Sequence, residues 1–362
     1  MFGPAYASPT RPNGNVTGVR EAGAVVTAVL SQTPSQTRPM PARAWLPGFL
    51  ALALIWGASF LFIKVGVSEL HPLYVTLGRV LIGAVTLGVV LAVTRDRLPR
   101  DLRLWAHIAL VGVFGTALPF TLFTYGEQRV SSSLAGIWNA TTPLVVLPLA
   151  VWLFRTERMT WQRATGLGMG FVGVLVILGV WQGVGGSALT GQLMCLGAAA
   201  CYGVAIPYFK RYVAGRAQSG VAISTMQLLT ASAALLVVTP FVAGLPPAPA
   251  ALSADVIWSV VALGALGTGL AFVINTRNIR MAGASTASMV TYLIPVVATV
   301  VGMVVLNESL SWYQPSGALV VLAGVAVAQS GRRFSGRSRE ITAEPAHDDA
   351  PPVPAGGPGQ RG

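Results

Sequence analysis

Long apolar stretches recur along most of this chain, and they limit what it can fold into. Between residues 45 and 330, segments of about 19–24 residues carry almost no charge and are separated by short polar or Gly/Pro-rich breaks. A helix needs about 20 apolar residues to cross a bilayer. The spacing predicts ten such helices, at 45–66, 72–94, 104–125, 133–154, 163–181, 191–212, 220–243, 254–275, 284–306 and 312–330.

The composition agrees with a membrane protein and excludes an ordinary soluble domain. Of the 362 residues, 53% are hydrophobic and only 10% are charged, whereas soluble domains carry about 25% charged residues. Strands of a membrane barrel would alternate apolar and polar residues over about ten positions, which these segments do not do. The expected fold class is therefore an all-α polytopic membrane protein.

Residues that could hold a metal, a cofactor or a nucleic acid are scarce. Cys195 and Cys201 lie six residues apart, on different faces of one predicted helix, and the three His do not cluster with them. The net charge of +12 is not concentrated on a polar domain, as a nucleic-acid binder would require. The chain also lacks a P-loop motif. We therefore expect no metal, no cofactor, no nucleic-acid partner and no ATP-driven step.

Lys and Arg cluster in alternate loops and predict the orientation of the helices. Only Lys64 and Arg129 fall on the side with few basic residues. Because loops rich in Lys and Arg stay inside, both termini are predicted to be cytoplasmic in a multi-pass protein of the cell (inner or plasma) membrane. The inside residues are Arg95, Arg97, Arg100, Arg103, Arg155, Arg158, Arg163, Lys210, Arg211, Arg216, Arg277, Arg280, Arg332, Arg333, Arg337 and Arg339.

Two polar tails flank the apolar region. Residues 1–43 are rich in Pro, Gly, Ser and Thr, and residues 331–362 are first basic and then rich in Pro, Gly and acidic residues. Both are predicted to be disordered and cytoplasmic. Because Met40 directly precedes the first predicted span, we expect residues 1–39 to be dispensable for insertion and activity.

The two halves of the apolar region match each other, 44–182 against 183–330. Trp56–Lys64 aligns with Tyr202–Lys210, and Thr116–Phe120 with Thr268–Phe272. Five helices per half is an odd number, so the second half must cross the membrane in the opposite sense. Inverted repeats are typical of secondary transporters, which bind substrate between the halves near the midplane. The other matched pairs are Pro143/Pro295, Glu157/Glu308, Trp161/Trp312, Gly166/Gly317 and Gly173/Gly324.

These matched residues resemble a known family. The segment Trp56-Gly57-Ala58-Ser59-Phe60 with Lys64, followed by His71-Pro72 and Arg79, is similar to the opening of an EamA-type repeat. Pro143 followed by Thr156-Glu157, and Pro295 followed by Asn307-Glu308, resemble the Pro…Gly-Glu signature that closes each repeat, with Thr156 and Asn307 in place of the glycine. The resemblance to the drug/metabolite transporter superfamily covers about residues 44–330. It implies ten helices around a central cavity, and export or exchange of small metabolites.

Polar and aromatic side chains deep in the spans are candidate substrate contacts, because polar groups in lipid need partners or water inside the bundle. Arg79 has a guanidinium that fits a carboxylate or phosphate, and the aligned residue of the second half is the uncharged Gln227. We expect Arg79 to hold an anionic group of the substrate. Trp56, Asn139, Tyr202, Gln227 and Tyr292 are predicted to line the rest of the site. Hydrogen bonding between helices, without ligand contact, is the alternative role for each.

Two prolines and two glutamates have predicted mechanical roles. Pro143 and Pro295 lie at equivalent depth inside spans and are predicted hinges for alternating access. Glu157 and Glu308 follow helices 4 and 9 and are predicted structural residues that cap or brace their turns. No Asp or Glu falls in the central part of a predicted span, so proton coupling through a buried carboxylate is disfavoured.

The sequence therefore predicts a secondary transporter, an exporter or exchanger of a small polar or amphipathic metabolite, working by alternating access. Its predicted partners are this small molecule and the lipid bilayer. A receptor or scaffold that does not transport stays open as an alternative. A membrane-embedded enzyme is less favoured, since such enzymes need clustered His, Asp or Glu. Substrate identity, flux direction, coupling ion and a homodimer also stay open.

Overall fold

The computed structural model describes residues 42–182, 186–216 and 218–341. Within these residues the fold is all-helical, with no β-strand. The predicted tails lie mostly outside them, as does the expectation for residues 1–39. At both ends a helix extends into a predicted tail: the first begins at Ala42, and the last continues to Ile341.

Ten long helical segments follow one another along the described residues, and four of them are interrupted. Two contain a π-helical turn, at Val113–Ala117 and Ala265–Leu270, and two are broken, at Ala140–Thr141 and at Met289. The segments are α1 (Ala42–Gly66), α2 (Pro72–Val93), α3 (Leu102–Glu127), α4 (Ser132–Asn139 and Thr142–Trp152), α5 (Trp161–Leu178), α6 (Gly186–Tyr212), α7 (Gly220–Ala243), α8 (Ala254–Ala282), α9 (Ala284–Ser288 and Val290–Val305) and α10 (Tyr313–Ile341).

Nine segments within the described residues, α1 to α9, are long and apolar enough to cross a membrane. Their most apolar windows have a mean hydropathy of 1.3 to 2.1. The structure thus agrees with a polytopic membrane protein. The tenth predicted span corresponds to α10, which is not among these nine, so ten spans stay a prediction.

Polar residues at the helix starts explain where the helices begin. Ser131, Ser219 and Ser253 each accept a hydrogen bond from the backbone N–H three residues later, at 3.2, 3.0 and 3.4 Å. Such caps satisfy N–H groups that the first helical turn leaves without a partner. Before α10, Gln314 Oε1 accepts a 3.1 Å hydrogen bond from the Ser311 backbone nitrogen, as in one half of a capping box.

Helices of the first half pack mainly against helices of the second half. In this arrangement α1 contacts α8 and α9, α2 contacts α7 and α8, and α5 contacts α10. Correspondingly, α6 contacts α3 and α4, and α7 contacts α3. The predicted substrate-site residues lie on six of these packed helices, α1, α2, α4, α6, α7 and α9.

Glycines allow α5 and α10 to touch along their backbones. A Cβ on Gly166 would overlap the carbonyl oxygen of Gly324, and a Cβ on Gly173 would lie 2.8 Å from that of Gly317. Small residues permit such close contact between membrane helices. Gly168 differs, because a Cβ there meets nothing within 4 Å. Close helix packing thus requires a glycine at position 166 but not at position 168.

Candidate functional site

Arg79 is buried inside the helix bundle, with 6% of its surface exposed. Its Nε donates a hydrogen bond of 3.0 Å to Thr268 Oγ1 of α8. Its guanidinium carbon lies 3.7 Å from the centre of the Phe120 ring, a cation–π contact with α3. Within the described residues, its two terminal nitrogens form no hydrogen bond, and no carboxylate lies within ion-pair distance. The guanidinium is therefore oriented while its two-pronged end remains available to an anion.

The partner of Arg79 lies on the π-helical turn of α8. Thr268 is fully buried and donates its own hydroxyl proton to the Leu263 carbonyl at 3.1 Å. Its oxygen can consequently face Arg79 as an acceptor. Single π-helical turns are frequent at functional sites, because they displace side chains from regular α-helical positions.

Gln227 makes an equivalent contact on the other half of the bundle. Its Nε2 donates a hydrogen bond of 2.8 Å to Thr116 Oγ1, which lies on the π-helical turn of α3. In the sequence repeat, Thr116 aligns with Thr268, and Gln227 aligns with Arg79. The contact of α2 with α8 and the contact of α7 with α3 are thus built alike, with an arginine in the first and a neutral amide in the second. Sequence comparison matched these threonines but did not identify them as site residues.

Three predicted aromatic residues pack against one buried cluster. Trp56, Tyr202 and Tyr292 all contact the cluster that contains Phe60 and Trp138. Tyr202 also packs against the cluster around Phe120 and is close enough to Arg79 to interact electrostatically. The structure therefore brings Tyr202 and Arg79 together and connects Trp56 and Tyr292 to them through packing.

Asn139 and the two predicted hinges lie near interruptions of α4 and α9. Asn139 is half-buried, ends the first part of α4, and its carbonyl accepts a 2.7 Å hydrogen bond from Thr142 Oγ1. Pro143 is the second residue of the next part of α4. Pro295 instead lies within the second part of α9, several residues beyond the break at Met289. The matched prolines thus occupy different positions relative to their breaks.

Glu157 and Glu308 tie separate helices together. Glu157 forms ion pairs with Arg163 of α5 at 3.0 Å and with Lys210 of α6 at 2.5 Å. Glu308 accepts hydrogen bonds of 2.6–3.0 Å from the backbone and hydroxyl groups of Ser132 and Ser133, at the start of α4. Burial alone would raise the pKa of Glu308, but these hydrogen bonds outweigh it and lower the pKa below its usual value.

The turns before these glutamates lack the glycine of the Pro…Gly-Glu signature and have Thr156 and Asn307 in its place. Asn307 has a φ of 52°, the left-handed conformation that glycine adopts most easily and that asparagine tolerates. In the first half, Arg155 takes the left-handed conformation, also at φ 52°, rather than Thr156. The two turns therefore differ by one position.

Glu127 is a buried carboxylate at the end of a span, outside the central parts that the expectation on proton coupling concerned. We expected helix 3 to end near residue 125, which would leave Glu127 in a loop. Instead α3 continues through Glu127, and this side chain has no exposed surface. Lys64 covers the end of α3 by donating hydrogen bonds to the carbonyl oxygens of Glu127 at 2.6 Å and Val130 at 2.9 Å. Among the described residues the central parts of the spans contain no Asp or Glu, so the expectation on proton coupling stays a prediction.

A groove of about 620 Å³ lies away from these residues, between α1, α8 and the end of α9. It is lined almost entirely by apolar side chains and contains none of the predicted site residues. The groove's lining includes Leu61, Phe62, Trp258, Ala262, Leu266 and Val305.

In the part of the chain that the structure describes, no group of three or more His, Cys, Asp and Glu could hold a metal ion.

Comparison with known proteins defines the class to which this fold and site belong, that of membrane transporters. The EamA-like transporter family matches residues 43–179 and 189–329, one match in each half. This chain belongs to that family. The sequence resemblance is thereby confirmed, and the family indicates a transporter rather than an enzyme.

Individual relatives carry transporter or exporter names. The chain is 29% identical over 280 residues to the uncharacterized transporter YoaV of Bacillus subtilis, covering 77% of this chain and 94% of that protein. It is 30% identical over 297 residues to a probable terminal-alkyne amino-acid exporter of Streptantibioticus cattleyicolor, covering 79% and 93%. A solved crystal structure with 21% identity covers 80% of this chain and 99% of its own, with a TM-score of 0.55. This last likeness shows the shared fold alone.

Proposed function

We propose that this protein is a secondary transporter, an exporter or exchanger, that moves a small polar or amphipathic metabolite by alternating access. The observation that carries the proposal is Arg79: it is buried, oriented by Thr268 and Phe120, and has no carboxylate within ion-pair distance among the described residues. A guanidinium in this environment suits the anionic group of a ligand.

The proposed architecture is ten membrane helices in two inverted five-helix repeats. The paired contacts of Arg79 with Thr268 and of Gln227 with Thr116 support it, since a two-fold relation between the halves would generate such pairs. The close crossing of α5 and α10 at matched glycines supports it as well. In this arrangement both termini are cytoplasmic, in agreement with the Lys/Arg distribution. A reporter fused after residue 362 tests this orientation, and a signal from outside the cell membrane contradicts it.

The proposed substrate class is a small molecule with a carboxylate, for which amino acids are the first candidates. The name of the Streptantibioticus cattleyicolor relative points to an amino acid with a terminal alkyne. Arg79 binds the carboxylate in this proposal. The remaining contacts come from Trp56, Asn139, Tyr202, Gln227 and Tyr292, while bending near Pro143 and Pro295 exposes the site to either side.

Transport of L-propargylglycine into proteoliposomes tests the proposal. Arg79→Gln should abolish transport, and Arg79→Lys should retain only part of it because the ammonium keeps the charge but loses the two-pronged geometry. Arg129→Gln is the matched control, since Arg129 is exposed. Normal transport by Arg79→Gln contradicts the proposed role, as does a defect limited to membrane insertion. Binding of the amino acid without translocation would indicate a receptor instead.

A further inference from the structure

The apolar groove between α1, α8 and the end of α9 opens to the outside of the bundle. Trp258 and Leu266 line it from α8 and are 69% and 46% exposed. Val305 lines it from the end of α9 and is 56% exposed. All three helices are long and apolar enough to cross a membrane. In a bilayer, the groove is therefore filled by lipid rather than by water.

The groove is about as long as one lipid leaflet is thick. Its lining on α8 runs from Asp255 to Leu266, which is a distance of about 16 Å along a helix axis. Half of the hydrocarbon core of a bilayer measures about 15 Å. Asp255 marks the membrane surface, because a carboxylate is costly in the hydrocarbon core. An acyl chain that runs from the surface toward the midplane therefore matches the groove in length and in polarity.

Carboxylates surround the surface end of the groove. Asp255, in the first turn of α8, is exposed and forms no ion pair within the part of the chain that the structure describes. Glu69 lies close to it, since its carboxylate accepts a 2.8 Å hydrogen bond from the backbone of Ser253, two residues before Asp255. The residues that line the groove include no Lys or Arg. This end therefore attracts a cationic group and repels an anionic one.

Lys64, the cation of α1 at this end of the bundle, does not neutralise these carboxylates. Its ammonium donates hydrogen bonds to two backbone carbonyls at the end of α3. Asp255 also stabilises the start of its helix, as acidic residues in a first turn do. That effect accounts for a carboxylate on α8 but not for its position at the end of an apolar groove.

We propose that the groove binds one phospholipid whose headgroup contains a primary ammonium, as in phosphatidylethanolamine. One acyl chain lies in the groove along α8, and the ammonium donates a hydrogen bond to the carboxylate of Asp255. A choline headgroup has the same charge but no N–H to donate, so it binds less tightly. An anionic phosphatidylglycerol binds least. The inference requires membrane insertion but is independent of the proposed role of Arg79.

Fluorescence quenching by brominated lipids tests the site in the full-length protein. The bilayer is a phosphatidylcholine nanodisc with a small fraction of lipid that has brominated acyl chains and an ethanolamine, choline or glycerol headgroup. The difference between wild type and Trp258→Phe isolates the quenching of Trp258. At the same fraction, the ethanolamine lipid should quench Trp258 about two- to fivefold more than the choline lipid, which is the factor that an exposed ion pair supplies. High salt should reduce this preference.

Trp312 is the matched control, because it is 71% exposed and lies at the same end of the bundle but outside the groove. Its quenching, isolated with Trp312→Phe, should be the same for the ethanolamine and choline lipids. Asp255→Asn should remove most of the preference at Trp258. Equal quenching of Trp258 by the two lipids in wild type overturns the inference. An unchanged preference in Asp255→Asn overturns it as well.

Ala262→Phe tests where the acyl chain lies. Ala262 is half-buried and lines the groove one turn from Trp258, so a phenyl ring there occupies the space of the chain. The extra quenching by the ethanolamine lipid should disappear in this variant, and its persistence overturns the inference. Protection of Trp258 from all brominated lipids, in protein that is dimeric, would instead show that a second copy covers the groove. If Asp255→Asn or Ala262→Phe does not fold, the comparison of headgroups at Trp258 still decides.

Discussion

Replacement of Thr268 by valine removes the acceptor for Arg79 while keeping the shape of the side chain. A hydrogen bond to a charged group contributes about 1.5–3 kcal/mol. The cation–π contact with Phe120, worth about 0.5–2 kcal/mol, remains and holds the guanidinium near its place. We therefore expect Thr268→Val to weaken binding of L-propargylglycine by about 1.4 kcal/mol, which is about tenfold. Calorimetric titration of the purified variant measures this change.

Thr116→Val is the internal control, because it removes the corresponding acceptor of Gln227. The hydrogen bond lost there joins two neutral groups and contributes about 0.5–1.5 kcal/mol to stability. Both variants should lower the Tm of the purified protein, but Thr116→Val should change ligand affinity much less, because Gln227 has no charge with which to hold an anion. Equal losses of affinity in the two variants would refute the argument that Thr268 acts by orienting Arg79. Wild-type affinity in Thr268→Val would refute it too.

Two further predictions concern stability. Gly166→Ala should destabilise the protein by about 1–3 kcal/mol, because the added methyl group overlaps the Gly324 carbonyl. Gly168→Ala places its methyl group in open space and should be neutral or slightly stabilising. Thermal unfolding of the two variants compares them directly. Hydrogen bonds from Ser132 and Ser133 outweigh burial and lower the pKa of Glu308 in the folded protein. The ionised carboxylate therefore stabilises the fold above the usual pKa of 4.5, and this stabilisation disappears as the pH falls through the lower pKa of the folded state. Acidification through this range should therefore lower the Tm of wild type more than that of Glu308→Gln, and equal slopes would contradict this.

The sequence predicts the membrane helices well, because the thickness of the bilayer imposes their length and their lack of charge. The predicted segments overlap α1 to α9 closely, and α10 begins at Tyr313, next to the predicted start at residue 312. Tyr202 and Arg79 could be proposed together because depth in a span is readable from distance along the helix. The π-helical turns that present Thr116 and Thr268 could not, since they depend on how neighbouring helices pack rather than on local preference.

Glu127 was missed for a related reason. A glutamate at the end of an apolar stretch, followed by polar residues, has the same sequence pattern whether it faces water or protein. Its backbone carbonyl accepts a hydrogen bond from Lys64, which comes 63 residues earlier in the chain and covers the end of α3. A hydropathy profile contains no information about that contact. The pairing of Glu157 with Lys210, 53 residues later, was unpredictable in the same way.

The likeness of the two halves explains why a single charged site is expected in this bundle. A feature that serves only to build a repeat should occur in both halves, and the close helix contacts at Gly112 and Gly264 do. A Cβ on Gly112 would lie 2.9 Å from the carbonyl oxygen of Gln227, and a Cβ on Gly264 would lie 3.0 Å from that of Arg79. The threonines on the π-helical turns also occur in both halves, so they belong to the common framework. Only the side chains that they orient differ, with a guanidinium in one half and an amide in the other. The proposed transport site between the two halves needs one anion-binding group, and a second arginine there would add a buried charge without a counter-ion. The departure from repeat symmetry at Arg79 is therefore the feature on which the proposed ligand binding most directly rests.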